Sequence, residues 1–203
     1  MDPRLRLQDL GAAAITLAPT TPPDLLAALG VSNPQPLEDV AAALREHYDD
    51  AWFSEQYPAS ERQPPMLAAC QISRQWSAAV EIFGATGWVG CTPRLLRALS
   101  ERHGFACTAY FDQEDAKIFL CDQGADIAQI DATTGNRIGT INASTEARLT
   151  QAGFPPGGFP AMSPEMKELA YVGRLGAVFA AVTQYTLEDC LAGSSWIGGL
   201  AQR

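Results

Sequence analysis

Histidine is scarce in this chain of 203 residues, which has only His47 and His103. Any His-ligated metal site or histidine-activated nucleophile must draw on one of those two positions. The five cysteines (Cys70, Cys91, Cys107, Cys121, Cys190) are odd in number and far apart, with no C-x-x-C pair and no metal-ligand spacing to either histidine. They read as reduced thiols packed as small hydrophobes. Positive charge is also short: 14 Lys and Arg stand against 23 Asp and Glu, a net charge of −9. Phosphate-backbone binding rests on Lys and Arg, so a nucleic-acid partner is disfavoured and a basic protein partner is favoured. No run approaches the roughly 18 apolar residues of a membrane span, and "LGAVFAAVTQYTL" is broken by polar residues. The N-terminal stretch lacks a basic region followed by a long apolar run, so no membrane partner and a cytoplasmic location are expected.

What is present suits a folded core. Hydrophobic residues make up 47% of the chain and charged ones 18%, which predicts one folded domain over residues 1–203. "AAITLAP" reads as a strand, and "MLAACQIS" with "WSAAVEIF" as a hairpin. "FACTAYFD", "AKIFLCDQ" and "DIAQIDAT" follow with hairpin-length separators, an antiparallel meander. Helices are expected at "TPPDLLAALG", over roughly 37–53, at "STEARLTQAG" capped by Ser144, after Ser163 and at "TLEDCLAG", with an apolar tail at the end. The fold class expected is α+β, a mostly antiparallel sheet with helices packed on one face. Residues 31–66, rich in proline and without strand alternation, read as a helical and irregular insertion or lid.

The segment "WVGCTPRLLRALSERHG" (88–104) is the best candidate for chemistry. Thr92 is the expected N-cap, Pro93 the first helical residue, Leu95, Leu96 and Leu99 the buried stripe and Gly104 the stop. Loss of such a cap costs about 1 kcal/mol. A thiol at Cys91 would feel the helix dipole, and the Gly84–Thr92 loop with Gly87, Gly90, Cys91 and Thr92 has the general form of an anion site. The loop matches no phosphate-binding glycine motif, however, and His103 lies about 18 Å along the helix. Cys91 is therefore read as structural, no catalytic residue is assigned, and no cofactor or metal is implied.

Two acidic groups stand out. Asp112, Glu114, Asp115, Asp122 and Asp126 cluster near the meander's turns without the spacing of a calcium loop. Glu38, Asp39, Glu46, Asp49 and Asp50 lie on or beside one helix that ends in Trp52 and Phe53, with Tyr57 just beyond. Aromatics rimmed by one sign of charge fit a protein-binding surface, so Trp52, Phe53, Tyr57, Glu46, Asp49 and Asp50 are the partner-binding candidates. A non-enzymatic binding domain, of the immunity or defence-associated kind, is the favoured expectation. A small enzyme or ligand-binding protein using the Gly84–Thr92 loop is the alternative.

"TPPDLLAALG" (21–30) and "TPRLLRALSERHG" (92–104) echo one another, as two helices begun in a common way do and as two strand–helix units of an old duplication would. Trp76, Glu81, Gly87-Trp88, Gly90, Pro93, Leu96 and Ala98-Leu99-Ser100 also follow a known order. In that order the chain resembles an uncharacterised domain family common in actinobacteria, which has a Trp-led strand, an Asn-Gly-Trp-x-Gly loop and a Pro/Leu-rich helix. Thr86 stands where that family has Asn. The resemblance implies no activity and no catalytic residue.

Overall fold

A computed structural model describes residues 5–7, 10–54, 64–82, 88–112, 115–125, 127–157 and 167–202, with only the backbone described at 48–54 and 167–171. In chain order the strands are β1 (Ala13–Ala18), β2 (Gln35–Leu37), β3 (Met66–Gln71), β4 (Ser77–Ile82), β5 (Phe105–Phe111), β6 (Ala116–Asp122), β7 (Ala128–Asp131), β8 (Arg137–Ile138) and β9 (Trp196–Leu200). The helices are α1 (Pro22–Ala28), α2 (Val40–Ser54), α3 (Pro93–His103), α4 (Ala143–Gln151), α5 (Lys167–Thr183) and α6 (Leu187–Leu191). Among the described residues, nine strands join one antiparallel sheet in the order β2-β9-β3-β4-β1-β5-β6-β7-β8. The fold is α+β, as the order of strand and helix signals predicts.

The middle of this sheet has a simple plan. β1 and β3 both run antiparallel to β4, so they are parallel to each other, and the same holds for β4 and β5 across β1. Helix α1 lies on the path from β1 to β3, and α3 on the path from β4 to β5. The order β3-β4-β1-β5 is thus a split βαβ pair, the connectivity of a ferredoxin-like βαββαβ unit. The two echoing segments fall on equivalent halves of it. Each helix ends before a glycine in the left-handed region, Gly30 at φ 94° and Gly104 at φ 87°, where a side chain would be strained.

Helices cover both faces of the sheet, not the single face expected. The reason lies in the central strands, which have no solvated side: all six residues of β1 and five of six in β4 are buried. Ala13, Ile15 and Leu17 of β1 face Leu44, Val178, Phe179, Val182 and Leu187 of α2, α5 and α6. On the other face Ala18, Ala69, Ala79 and Ala106 lie under Leu25, Leu26 and Leu29 of α1 and Leu96 and Leu99 of α3. Small side chains on that face let the two helices approach the sheet closely, and α1 and α3 also touch each other.

The segment 31–66 is inserted between α1 and β3, but its described part is woven into the domain. β2 pairs with β9 at one edge, Val31 bridges Ala201, and Val40 and Leu44 are buried in the core. The apolar tail is β9, which lies between β2 and β3. Helix α4 is capped by Asn142, whose side chain accepts from Thr145 N–H at 2.8 Å, two residues before the Ser144 expected. Ser163 lies outside the described residues. None of the helices is long and apolar enough to cross a membrane, among the described residues.

Candidate functional site

The loop entering α3 is held down by a polar cluster under the α1/α3 layer. Glu81, in the apolar run of β4, is 2% exposed, and its Oε2 accepts from Val89 N–H at 2.8 Å. Val89–Cys91 forms a short 3-10 turn. Its middle residue, Gly90, is buried, and its carbonyl accepts from Thr108 Oγ1–H at 2.7 Å. Thr108 in turn shares a 2.9 Å hydrogen bond with Thr16 of β1. Both threonines are buried, so these bonds form in a low-dielectric setting where each is strengthened and each loss is costly. Glycine is required at 90 by close approach: a Cβ there would lie 2.1 Å from Thr16 Oγ1. Trp88, just before the turn, packs on Tyr110 with ring centres 6.2 Å apart.

The same geometry decides the cysteine. Cys91 is half-buried, and burial first, then the nearby Glu81 carboxylate, pushes its thiol well above the ordinary range. Those two effects oppose the lowering a helix N-terminus gives and outweigh it. Three core thiols follow suit. Cys70 is pushed up to about 12 by burial, and Cys107 and Cys190 are raised for the same main cause. Among the described residues no group of three His, Cys, Asp or Glu side chains is placed to hold a metal ion.

The anion reading of this loop meets an internal anion. Val89 N–H is donated to the Glu81 carboxylate, Cys91 N–H to Trp88 C=O at 3.2 Å and Thr92 N–H to Val89 C=O at 3.0 Å. The chain therefore uses these three donors itself. Thr92 occupies the N-cap position of α3 with extended backbone, but its side chain makes no capping hydrogen bond. Gly87 lies outside the described residues.

The partner-binding candidates are only partly in view. Glu46 is exposed on α2, as are Glu38 and Asp39 at its start. The side chains of Asp49, Asp50, Trp52 and Phe53, and all of Tyr57, lie outside the described residues. Of the acidic turn residues, Asp115 pairs with Lys117 at 2.6 Å, Asp112 accepts from Asp115 N–H, and Asp122 accepts from Asn142. Each has a local structural role, and Glu114 and Asp126 lie outside the described residues.

Sequence reading passed over one group. Tyr110 of β5 stacks on Phe119 of β6 at 6.1 Å and 19°, with Lys117 Nζ 5.9 Å from the Tyr110 ring centre. Burial holds the Tyr110 hydroxyl up at about 12, and the hydrogen bond to Lys117 keeps the Asp115 carboxyl below its usual range. The alternation of "TAYFD" and "AKIFL" was the available signal, since it places Tyr110 and Phe119 on one face.

Compared with models of protein families, with curated proteins and with solved structures, the chain matches none. The resemblance to an actinobacterial domain family therefore contributes no site or activity, and function must be argued from the residues.

Proposed function

We propose that the chain is a non-enzymatic protein-binding domain, of the immunity or defence-associated kind, that masks a basic partner with the acidic side of α2. The observation that carries this reading is how α2 is mounted. Val40 and Leu44 are buried in the core, while Glu38, Asp39 and Glu46 stand exposed. A charged surface fixed to a rigid sheet loses little conformational freedom on binding, which favours affinity. The net charge of −9 adds long-range attraction that speeds encounter with a basic surface. In sequence, Asp49, Asp50, Trp52, Phe53 and Tyr57 follow in the same segment, residue types that suit an anchor and its charged surround.

The test is binding to a partner captured from the source cells, measured by calorimetry and by association kinetics across a salt series. Trp52→Ala weakens the complex by about 2 kcal/mol and leaves the isolated fold nearly as stable. Glu38→Lys with Glu46→Lys slows association and flattens its salt dependence, because steering by these charges is screened over about 10 Å at 0.1 M. A partner that is toxic alone and harmless on co-expression supports the masking role. The reading fails if the double charge reversal associates at an unchanged rate, or if Trp52→Ala binds normally but unfolds easily.

A further inference from the structure

On the opposite face of the sheet from α3, the β3–β4 turn, the start of β5, α4 and the α5–α6 corner border an open cleft of about 260 Å³. Trp76, Phe105, Ser144, Thr145, Arg148 and Gln184 are among its lining residues. One wall is aromatic. Trp76 meets Phe105 edge-on, with ring centres 6.0 Å apart at 66°, and Tyr185 backs Trp76 at 5.6 Å.

The other wall is built around Arg148. Its Nε–H donates to Ala181 C=O at 2.8 Å, and Nη2 donates to Val182 C=O and Thr145 Oγ1, each at 3.0 Å. Nη1 donates to Ser144 Oγ at 3.1 Å. These acceptors are all neutral, so the guanidinium charge is met by carbonyl dipoles at the end of α5 and, among the described residues, by no carboxylate. Four of the five N–H groups of an arginine are thereby directed, and the fifth remains on Nη1. Two hydroxyls carry the polarity onward. Ser144 and Thr145 each accept from Arg148, so their own protons turn away from it, and both residues line the cleft. Thr145 is 1% exposed, so packing holds its hydroxyl in place.

Size and charge narrow the ligand. A void of about 150 Å³ accepts one benzene-sized ring. The cleft here is larger and opens to solvent, so a ring fits it with a polar group at the Arg148 side. A single guanidinium matches a single negative charge, and Asn142, which also lines the cleft, is bonded through Nδ2 to the Asp122 carboxylate at 3.1 Å. A second negative charge would meet that carboxylate without a further cation. We propose that this cleft binds a small planar aromatic monocarboxylate, with its ring against Trp76 and Phe105 and its carboxylate on Arg148 and Ser144. The inference is independent of the role given to α2.

The experiment is an NMR titration of the full chain, following the indole N–H of Trp76, which is assigned by its disappearance in Trp76→Phe. Benzoate is the probe, with benzyl alcohol as the uncharged ring and inorganic phosphate as the anion without a ring. The expected result is a saturable benzoate shift, with binding of benzyl alcohol and of phosphate each about tenfold weaker or worse. Arg148→Gln also removes the hydrogen bonds that close α5, so the deciding variant is Ser144→Trp. That position is exposed in the first turn of α4 and leaves the Asn142 cap intact. Ser144→Trp lowers benzoate affinity about tenfold or more by filling the mouth of the cleft. Four results overturn the proposal: on the wild-type chain, no saturable benzoate shift, benzyl alcohol binding as tightly as benzoate, or phosphate binding as tightly as benzoate; and on Ser144→Trp, unchanged benzoate affinity.

Discussion

The β1–α1 and β4–α3 units share a Thr-Pro helix start, a Leu-Leu pair and equivalent places in the sheet, yet they secure their helices by different means. Between β1 and α1 lie three residues, and Thr21 acts locally: its Oγ1 accepts from Asp24 N–H at 3.4 Å and donates to Asp24 Oδ2 at 2.7 Å. The connection from β4 to α3 is longer, and there Thr92 caps nothing with its side chain. The work passes to Glu81, Gly90, Thr16 and Thr108, which tie the 3-10 turn to the sheet through buried hydrogen bonds. A short connection leaves a helix start to its own residues, while a long one is fixed by tertiary contacts that no local pattern reports.

The largest effect is expected where the long connection touches the sheet. Gly90→Ala places a methyl 2.1 Å from Thr16 Oγ1 and 3.3 Å from Thr108. The turn must lift or the threonine pair must break, at a cost of about 3 kcal/mol. Urea unfolding measures it, and an unchanged midpoint would mean that the turn is not anchored there. Next is Thr108→Val, which keeps the shape and removes the donor to Gly90 C=O and the partner of Thr16. A buried carbonyl and a buried hydroxyl each lose a partner, for about 2 kcal/mol. Thr16→Val in the Thr108→Val background then adds much less than it costs alone, since the two share one bond.

Much of the fold was legible because its signals are local. β1, the β3–β4 hairpin and the β5–β6–β7 meander follow from apolar runs and turn-length gaps, and α1 and α3 from proline, leucine spacing and glycine. β9 was not legible. "WIGGL" carries two glycines that lower strand propensity, and its extended form is imposed by β2 and β3 on either side. Packing explains the glycine at 198, where a Cβ would meet Leu67 C=O and Leu37 Cδ1 at 2.7 Å each. The two-faced covering was readable in principle, since "AAITLA" has no regular polar alternation to leave a wet side. The polar cluster was not, because Thr16 and Thr108 are 92 residues apart. Glu81, a carboxylate inside an apolar strand, was its one visible trace.

A smaller effect separates the two helix starts directly. Thr21→Ala removes an exposed side chain that both accepts from Asp24 N–H and holds the Asp24 carboxylate. The accepting bond is long, so the loss belongs at the lower end of the capping range, about 0.5 to 1 kcal/mol. Thr21→Ser, which keeps the oxygen, recovers most of it.

The smallest effect is the most telling for the comparison. From sequence, Thr92→Ala should cost about as much as any lost cap, roughly 1 kcal/mol. In the fold, Thr92 is exposed and its side chain accepts no hydrogen bond from the first turn of α3. What it contributes to the helix is its backbone: Thr92 C=O accepts from Leu95 N–H at 3.0 Å and from Leu96 N–H at 3.1 Å, and alanine supplies the same carbonyl. Pro93 follows in either variant and sets the first helical φ. Thr92→Ala should therefore shift stability by no more than about 0.3 kcal/mol, within the range of ordinary surface substitutions. Urea midpoints of Thr21→Ala and Thr92→Ala, measured side by side, decide the matter. Equal losses would mean that Thr92 caps α3 in solution and that the two units secure their helices alike. A loss confined to Thr21→Ala means that the start of α3 is set by the loop before it, from Glu81 through Gly90.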